Sequence, residues 1–203
     1  MKKVAVSQRV DILSDREETR DALDQCLTEF LMVAGFLPVP VPNSFWLSKE
    51  KQQSDLMKRW FVGVGIEAIV LSGGNDIGQC DERDSTEKWL LDYASYHELP
   101  VLGICRGMQM MASWAGVACH PVDGHVQTRH QLSGKIATEV NSYHGFSVTE
   151  CPDGFEVLAQ SKDGEVEAIR HLSLPWEGWM WHPEREVIYP ESDLKRARRL
   201  LDA

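Results

Sequence analysis

The chain has 203 residues, 43% hydrophobic and 26% charged, with a formal net charge of −10. That size and composition suit one globular unit over residues 1–203, because a single core can serve about 200 residues. The acidity argues against a nucleic-acid or anionic-membrane surface, and no apolar run approaches the roughly 20 residues of a membrane span.

The start, Met1-Lys2-Lys3, resembles a signal peptide, but Ser7, Gln8 and Arg9 cut the apolar stretch short. A cytoplasmic protein is expected. Residues 4–7 read as a strand. Ser14-Asp15-Arg16-Glu17 matches a capping box opening a helix, with Leu23, Leu27, Phe30 and Leu31 at helical spacing and Gly35 as its stop. Residues 36–41 read as a second strand near a sheet edge, since Pro38 and Pro40 cannot donate to a ladder. Residues 48–61 read as helical.

Ala68-Ile69-Val70-Leu71 is a buried strand running into Ser72-Gly73-Gly74-Asn75-Asp76. A helix over 87–98, a buried strand over 101–104 and a helix over 107–115 follow. Alternating strands and helices predict an α/β fold, a mainly parallel central sheet flanked by helices. The later part differs. Lys162-Asp163-Gly164-Glu165 is a hairpin turn inside 157–169, so antiparallel strands are expected between 134 and 181. A helix over 191–201 closes the chain.

Cys26, Cys80, Cys105, Cys119 and Cys151 are odd in number and show no disulfide or zinc framework. Reduced thiols are expected, with Cys26 a small core residue. Cys105 stands apart. Val101-Leu102-Gly103-Ile104-Cys105-Arg106-Gly107-Met108-Gln109 is a short apolar strand entering a tight turn and then a helix. This is a nucleophile elbow with Cys in place of Ser. Small residues at 103 and 107 avoid collisions in the turn, and the turn lifts the sulfur at the carboxyl end of the sheet. A helix N-terminus there offers free amides to a thiolate, and the Arg106 amide to an oxyanion. A cysteine nucleophile needs a base held by a third group. Trp181-His182-Pro183-Glu184 supplies both, if an extended backbone lets Glu184 lie beside His182. The order Cys, His, Glu is not that of an α/β-hydrolase.

With both motifs in view, the chain resembles the class I glutamine amidotransferase-like superfamily, which is flavodoxin-like in fold. Gly103–Gln109 resembles its nucleophile motif, Trp181–Glu184 its His-Pro-Glu motif, Leu71-Ser72-Gly73-Gly74 its oxyanion strand, and Val140-Asn141-Ser142-Tyr143-His144 its substrate segment. Within it, Arg106 and Ser7-Gln8-Arg9 resemble the γ-glutamyl hydrolase branch of peptidase C26 type. The resemblance implies Cys105 as nucleophile, His182 as base, Glu184 as its orienter, and Gly74 and Arg106 as the oxyanion hole. It implies substrate contacts from Gly73, Gln109, Ser142, Tyr143, His144, Arg9 and His130. The substrate implied is a small conjugate of γ-glutamyl-CDP-amidate or γ-glutamyl-γ-aminobutyrate type, as in capsule phosphoramidate or polyamine pathways. No cofactor and no obligatory synthase partner are expected, and a homodimer stays open. The alternative is a glutaminase subunit passing ammonia to a synthase. His144-Gly145-Phe146 departs from the second His and Gln of many relatives, and the segment from Gly74 to the nucleophile is short, so the leaving-group pocket should differ.

Cys119, His120, His125 and His130 fit no usual zinc spacing, and no metal is expected. Trp176, Trp179 and Trp181 read as core on one strand face, with stacking on a leaving group as the alternative. Arg9 and Arg106 divide between structural ion pairs and an anionic leaving group. Lys195-Arg196-Ala197-Arg198-Arg199 reads as a solvated helix face.

Overall fold

A computed structural model describes residues 1–46 and 53–203. The chain opens with β1 (Lys3–Val6), β2 (Arg9–Leu13), β3 (Glu18–Ala22), α1 (Gln25–Val33) and β4 (Leu37–Pro40). Next come α2 (Gln53–Val64), β5 (Ala68–Leu71), α3 (Asp81–His97), β6 (Val101–Ile104) and α4 (Arg106–Trp114). The remaining part holds β7 (Cys119–Pro121), β8 (Val126–Gln131), β9 (Ser133–Gly134), β10 (Glu139–Tyr143), β11 (Phe146–Val148), β12 (Phe155–Gln160), β13 (Val166–His171), β14 (Trp176–Trp179) and α5 (Glu191–Leu201).

The main sheet runs β4-β1-β5-β6-β14-β13-β12-β9. Strands β4 to β14 pair in parallel, and β13, β12 and β9 continue antiparallel. This is the predicted architecture, with β14 returning to lie beside the nucleophile strand. Alternation along the strands sends Val4, Val6 and Val70 to one face, with Leu27, Phe30 and Leu31 of α1 and Leu194 and Ala197 of α5. Ala5, Ile69 and Leu71 go to the other, with Phe61, Leu90 and Met108 of α2, α3 and α4. Covering both faces requires strands that are apolar throughout, which is why these read so plainly.

Several expectations need correction. Residues 14–17 do not open a helix. They form the turn of the β2–β3 hairpin, with Glu17 at φ 53°. Helix α1 starts after Asp24, whose carboxylate accepts the Cys26 amide at 2.9 Å. A Ser-x-x-Glu pattern offers acceptors to free amides in a turn as readily as in a helix. Cys26 is exposed, not core. Helix α3 begins at Asp81 rather than 87. Of the expected 48–61 helix, residues 48–52 lie outside the described residues and the rest is α2. The edge position of β4 and the stop at Gly35, φ 99°, are as expected.

The three tryptophans are fully buried, but not on one face. Trp179 and Trp181 stack at 5.4 Å on the α1/α5 side, while Trp176 lies on the other. Residues 176 and 179 are an odd number apart, so a strand sends them opposite ways. All five cysteines are free. Among the described residues no helix is long and apolar enough to cross a membrane.

Candidate active site

The carboxyl ends of β5, β6 and β14 meet at one place, where open α/β sheets carry their sites. Cys105 ends β6 and starts α4 at φ 51° and ψ −105°, a strained conformation for a non-glycine residue. Its surroundings hold it there. The Cys105 amide donates to the Trp179 carbonyl at 2.7 Å, and its carbonyl accepts the Gln109 amide at 3.1 Å. A Cβ at Gly107 would collide with the Leu71 carbonyl, and one at Gly103 would lie 2.7 Å from the backbone of Met108. Both glycines of the elbow are therefore required by close approach.

The loop after β5 is held from behind by Arg83 of α3, which is fully buried. Its guanidinium donates to the carbonyls of Ser72 at 2.7 Å and Gly73 at 2.9 Å, and also to that of Gly74. Its Nε pairs with Glu87 at 3.1 Å. Glu87 also accepts the Ser7 hydroxyl at 2.7 Å and pairs with Arg106, which pairs in turn with Asp84. Burial lowers Arg83 to about 10 and Arg106 to about 9, so both stay charged at neutral pH. The Arg106 guanidinium is thus consumed in a buried ion network. It is not free for a leaving-group anion, which corrects that expectation. Among the described residues neither the Gly74 nor the Arg106 amide donates to a protein acceptor, and both residues line one cavity with Cys105.

His182 reaches the same cavity from the turn after β14. Its Nδ1 lies 2.6 Å from Glu184 Oε1. The pairing arises from a tight 3-10 turn over Pro183–Arg185, not from the extended backbone expected. Asn141 clamps the histidine backbone at both ends, accepting its amide at 2.9 Å and donating to its carbonyl at 2.7 Å. Burial opposes charge on His182. The adjoining Cys105 sulfur and Glu184 carboxylate outweigh it and raise His182 to about 9. Gly73 makes room for the ring: a Cβ there would lie 2.7 Å from His182 Cε1.

The cavity measures about 130 Å³, and its walls include Gly74, Asp76, Cys105, Gln109, Tyr143, His182 and Arg185. Asp76 and Gln109 also wall a second cavity of about 230 Å³, completed by Ile77, Ser113, Cys119 and Phe146. Tyr143 stands edge-on to the His182 ring at 5.7 Å, with the Arg185 guanidinium 4.7 Å above its own ring.

Of the other expected contacts, His144 lines this cavity, whereas Ser142, His130 and Arg9 do not. The Ser142 hydroxyl is buried and donates to the His125 carbonyl at 2.6 Å. The His144 ring nitrogen Nε2, like the His130 ring, belongs to a group with His125 and Glu167. Arg9 pairs with Asp11 at 2.8 Å and borders a separate cleft with Gly73, Gly74 and His182. Arg83, Asn141 and Arg185 went unnoticed in the sequence. Arg83 and Glu87, one turn apart inside a charged helix, look like a surface pair, and Asn141 lies in a motif whose neighbours draw attention first.

Residues 39–189, more than half of the chain, match the model of the family Glutamine amidotransferase class-I. The chain belongs to that family. The γ-glutamyl-CDP-amidate hydrolase of Campylobacter jejuni is 33% identical over 127 residues, 60% of this chain and 64% of the relative. A glutamine-hydrolyzing GMP synthase subunit of Methanocaldococcus jannaschii is 33% identical over 129 residues, 59% of this chain and 65% of the relative. Each match spans just under two thirds of the relative's length. A glutamine amidotransferase structure from Thermotoga maritima shares the fold, with a TM-score of 0.62 at 17% identity, covering 99% of this chain and 89% of that one.

Proposed function

We propose that the chain is a cysteine hydrolase that cleaves the γ-glutamyl amide bond of a small conjugate without a synthase partner. The observation that carries this is the strained Cys105 sharing a cavity with the His182–Glu184 pair, beside a second, larger cavity with two walls in common. His182 takes the Cys105 thiol proton as the sulfur attacks the γ-carbonyl carbon, and the carbonyl electrons move to oxygen, held by the Gly74 and Arg106 amides. Collapse expels the amine, which takes a proton from His182 and leaves a γ-glutamyl thioester. Water gives a proton to His182 and attacks the thioester, releasing glutamate and the thiol. Glu184 orients the imidazole. Asp76 and Arg185 supply the opposite charges that the α-amino and α-carboxylate groups of the glutamyl end require. Arg83 and Asn141 are positioning residues, acting through the oxyanion loop and the His182 backbone. The chemistry calls for no cofactor.

The second cavity supports a leaving group larger than ammonia, of γ-glutamyl-CDP-amidate or γ-glutamyl-γ-aminobutyrate type. Among the described residues its lining includes Asp76 and no basic side chain, so an anionic end of that group is expected outside it. The second reading, a glutaminase that feeds a synthase, is favoured by the equal identity to a GMP synthase component. Steady-state kinetics of the purified chain alone on glutamine and on both larger conjugates separates the two. A much higher kcat/KM on either conjugate is expected. Cleavage of glutamine only, and only after a synthase is added, establishes the glutaminase reading instead.

A further inference from the structure

The group formed by His125, His130, His144 and Glu167 lies behind the substrate segment and takes no part in the mechanism above. One ligand-type atom from each residue lies within 4.8 Å of all the others. The closest set is tighter. His125 Nδ1 is 3.2 Å from His144 Nε2, and Glu167 Oε1 is 3.5 Å from the former and 3.3 Å from the latter. Tetrahedral zinc with bonds of about 2.0–2.1 Å separates its ligands by about 3.3–3.4 Å.

Outer partners decide which atoms face inward. His144 Nδ1 lies 3.0 Å from the Phe146 carbonyl, which can only accept, so Nδ1 carries the proton and Nε2 presents a lone pair. His125 Nε2 lies 2.9 Å from Asp163 Oδ2, and the other oxygen of that carboxylate accepts the Ser161 hydroxyl. Nε2 therefore donates, leaving a lone pair at His125 Nδ1. Two lone pairs and a carboxylate oxygen then converge with no proton between them. Such an arrangement repels itself unless a cation sits inside. Two further buried atoms, Glu167 Oε2 on a fully buried side chain and His130 Nε2, have no partner among the described residues. Histidines that donate their outer nitrogen to a carboxylate or a carbonyl are also the usual outer shell of zinc.

We infer that His125, His130, His144 and Glu167 form a structural site for a divalent transition metal, zinc by its three imidazoles and one carboxylate. Four protein ligands leave no open position, so the ion is a clamp and not a catalyst. It ties the paired β8 and β10, through His130 on β8 and His144 between β10 and β11, to Glu167 on β13 of the main sheet. His144 follows Tyr143 directly, so the clamp holds one wall of the substrate cavity. No local motif announces the site, because the ligands lie at 125, 130, 144 and 167 and meet only in the fold.

The test is metal content by mass spectrometry on the purified full chain, with zinc titration of the stripped protein against a chromophoric chelator. One zinc per chain is expected, with a lower Tm after stripping. Cobalt(II) should give the intense visible bands of a tetrahedral ion. His130→Ala should lose stoichiometric binding, and Asp163→Asn, an exposed outer partner, should weaken it about 10- to 100-fold. Cys105→Ser should keep the metal, which separates this site from the catalytic thiol and from the fate of the hydrolase reading. A chain with no stoichiometric zinc and a Tm indifferent to chelator overturns the inference, as does loss of the metal in Cys105→Ser.

Discussion

The neighbouring parallel strands β6 and β14 deliver opposite halves of the site by different means, because β14 borders the antiparallel continuation of the sheet. The nucleophile sits on β6, among strands buried on both faces by aliphatic side chains, and its strained elbow is enforced by backbone contacts at Gly103 and Gly107. The base follows β14, on the side of the sheet that borders the antiparallel strands, where the interior is polar. Asn141, Ser142, His144, Ser147, Glu167 and Glu177 are all buried there, each needing a partner. Apolar packing tolerates small shifts at modest cost, whereas a buried polar network fails when one member is lost. The base should therefore be the more easily displaced half of the site.

The comparison can be broken or sharpened by mutation, beginning with the largest effect. His182→Ala removes the base and should lower kcat/KM by about 10²- to 10⁴-fold. A near-normal value in steady-state kinetics takes His182 out of the mechanism. Arg83→Met tests the buried ion network in the parallel region. It strips the cation from the carbonyls of Ser72, Gly73 and Gly74. A loss of about 3–5 kcal/mol in denaturant unfolding is expected, as for breaking a buried ion pair. A loss below about 1 kcal/mol would mean the aliphatic core alone holds the oxyanion loop.

Asn141→Ala tests the other region, leaving the His182 amide and carbonyl without partners. It should cost about 1–3 kcal/mol in the same assay and lower kcat more than it raises KM. An unchanged kcat would show that the 3-10 turn places His182 unaided. The smallest effect concerns pH. His182 is raised from 6.5 to about 9, so the stability of its charged pairing is fully present below about pH 6.5 and is lost as pH rises through about 9. Activity that needs the imidazolium should fall over the same alkaline range. Glu184→Gln removes one of the groups raising His182 and should move that limb to lower pH.

The same contrast governs what the sequence reveals. Strands β5 and β6, the elbow and α5 were legible residue by residue, since burial on both faces writes an unbroken apolar run and an amphipathic helix writes its period. The β2–β3 hairpin was not. Strand β3 is almost wholly exposed, so Glu18–Ala22 carries no alternation, and the turn borrows a helix-capping pattern. The Cys105, His182 and Glu184 set was legible as motifs, although the turn that joins the last two was not. Arg83, Asn141 and the histidine group were invisible for another reason. Their meaning lies in carbonyls and ring nitrogens brought from distant positions, which composition and spacing do not record.

The central claim is that Cys105 is the nucleophile. Its most direct test is the order in which native thiols react with iodoacetamide, read by peptide mass spectrometry alongside residual activity. The other four cysteines are handicapped: Asp24 pushes Cys26 up, and burial pushes up Cys80, Cys119 and Cys151. The account predicts that Cys105 is modified first, that activity falls in step with that one label, and that a γ-glutamyl substrate slows both. Comparable labelling of all five thiols with activity retained would contradict it.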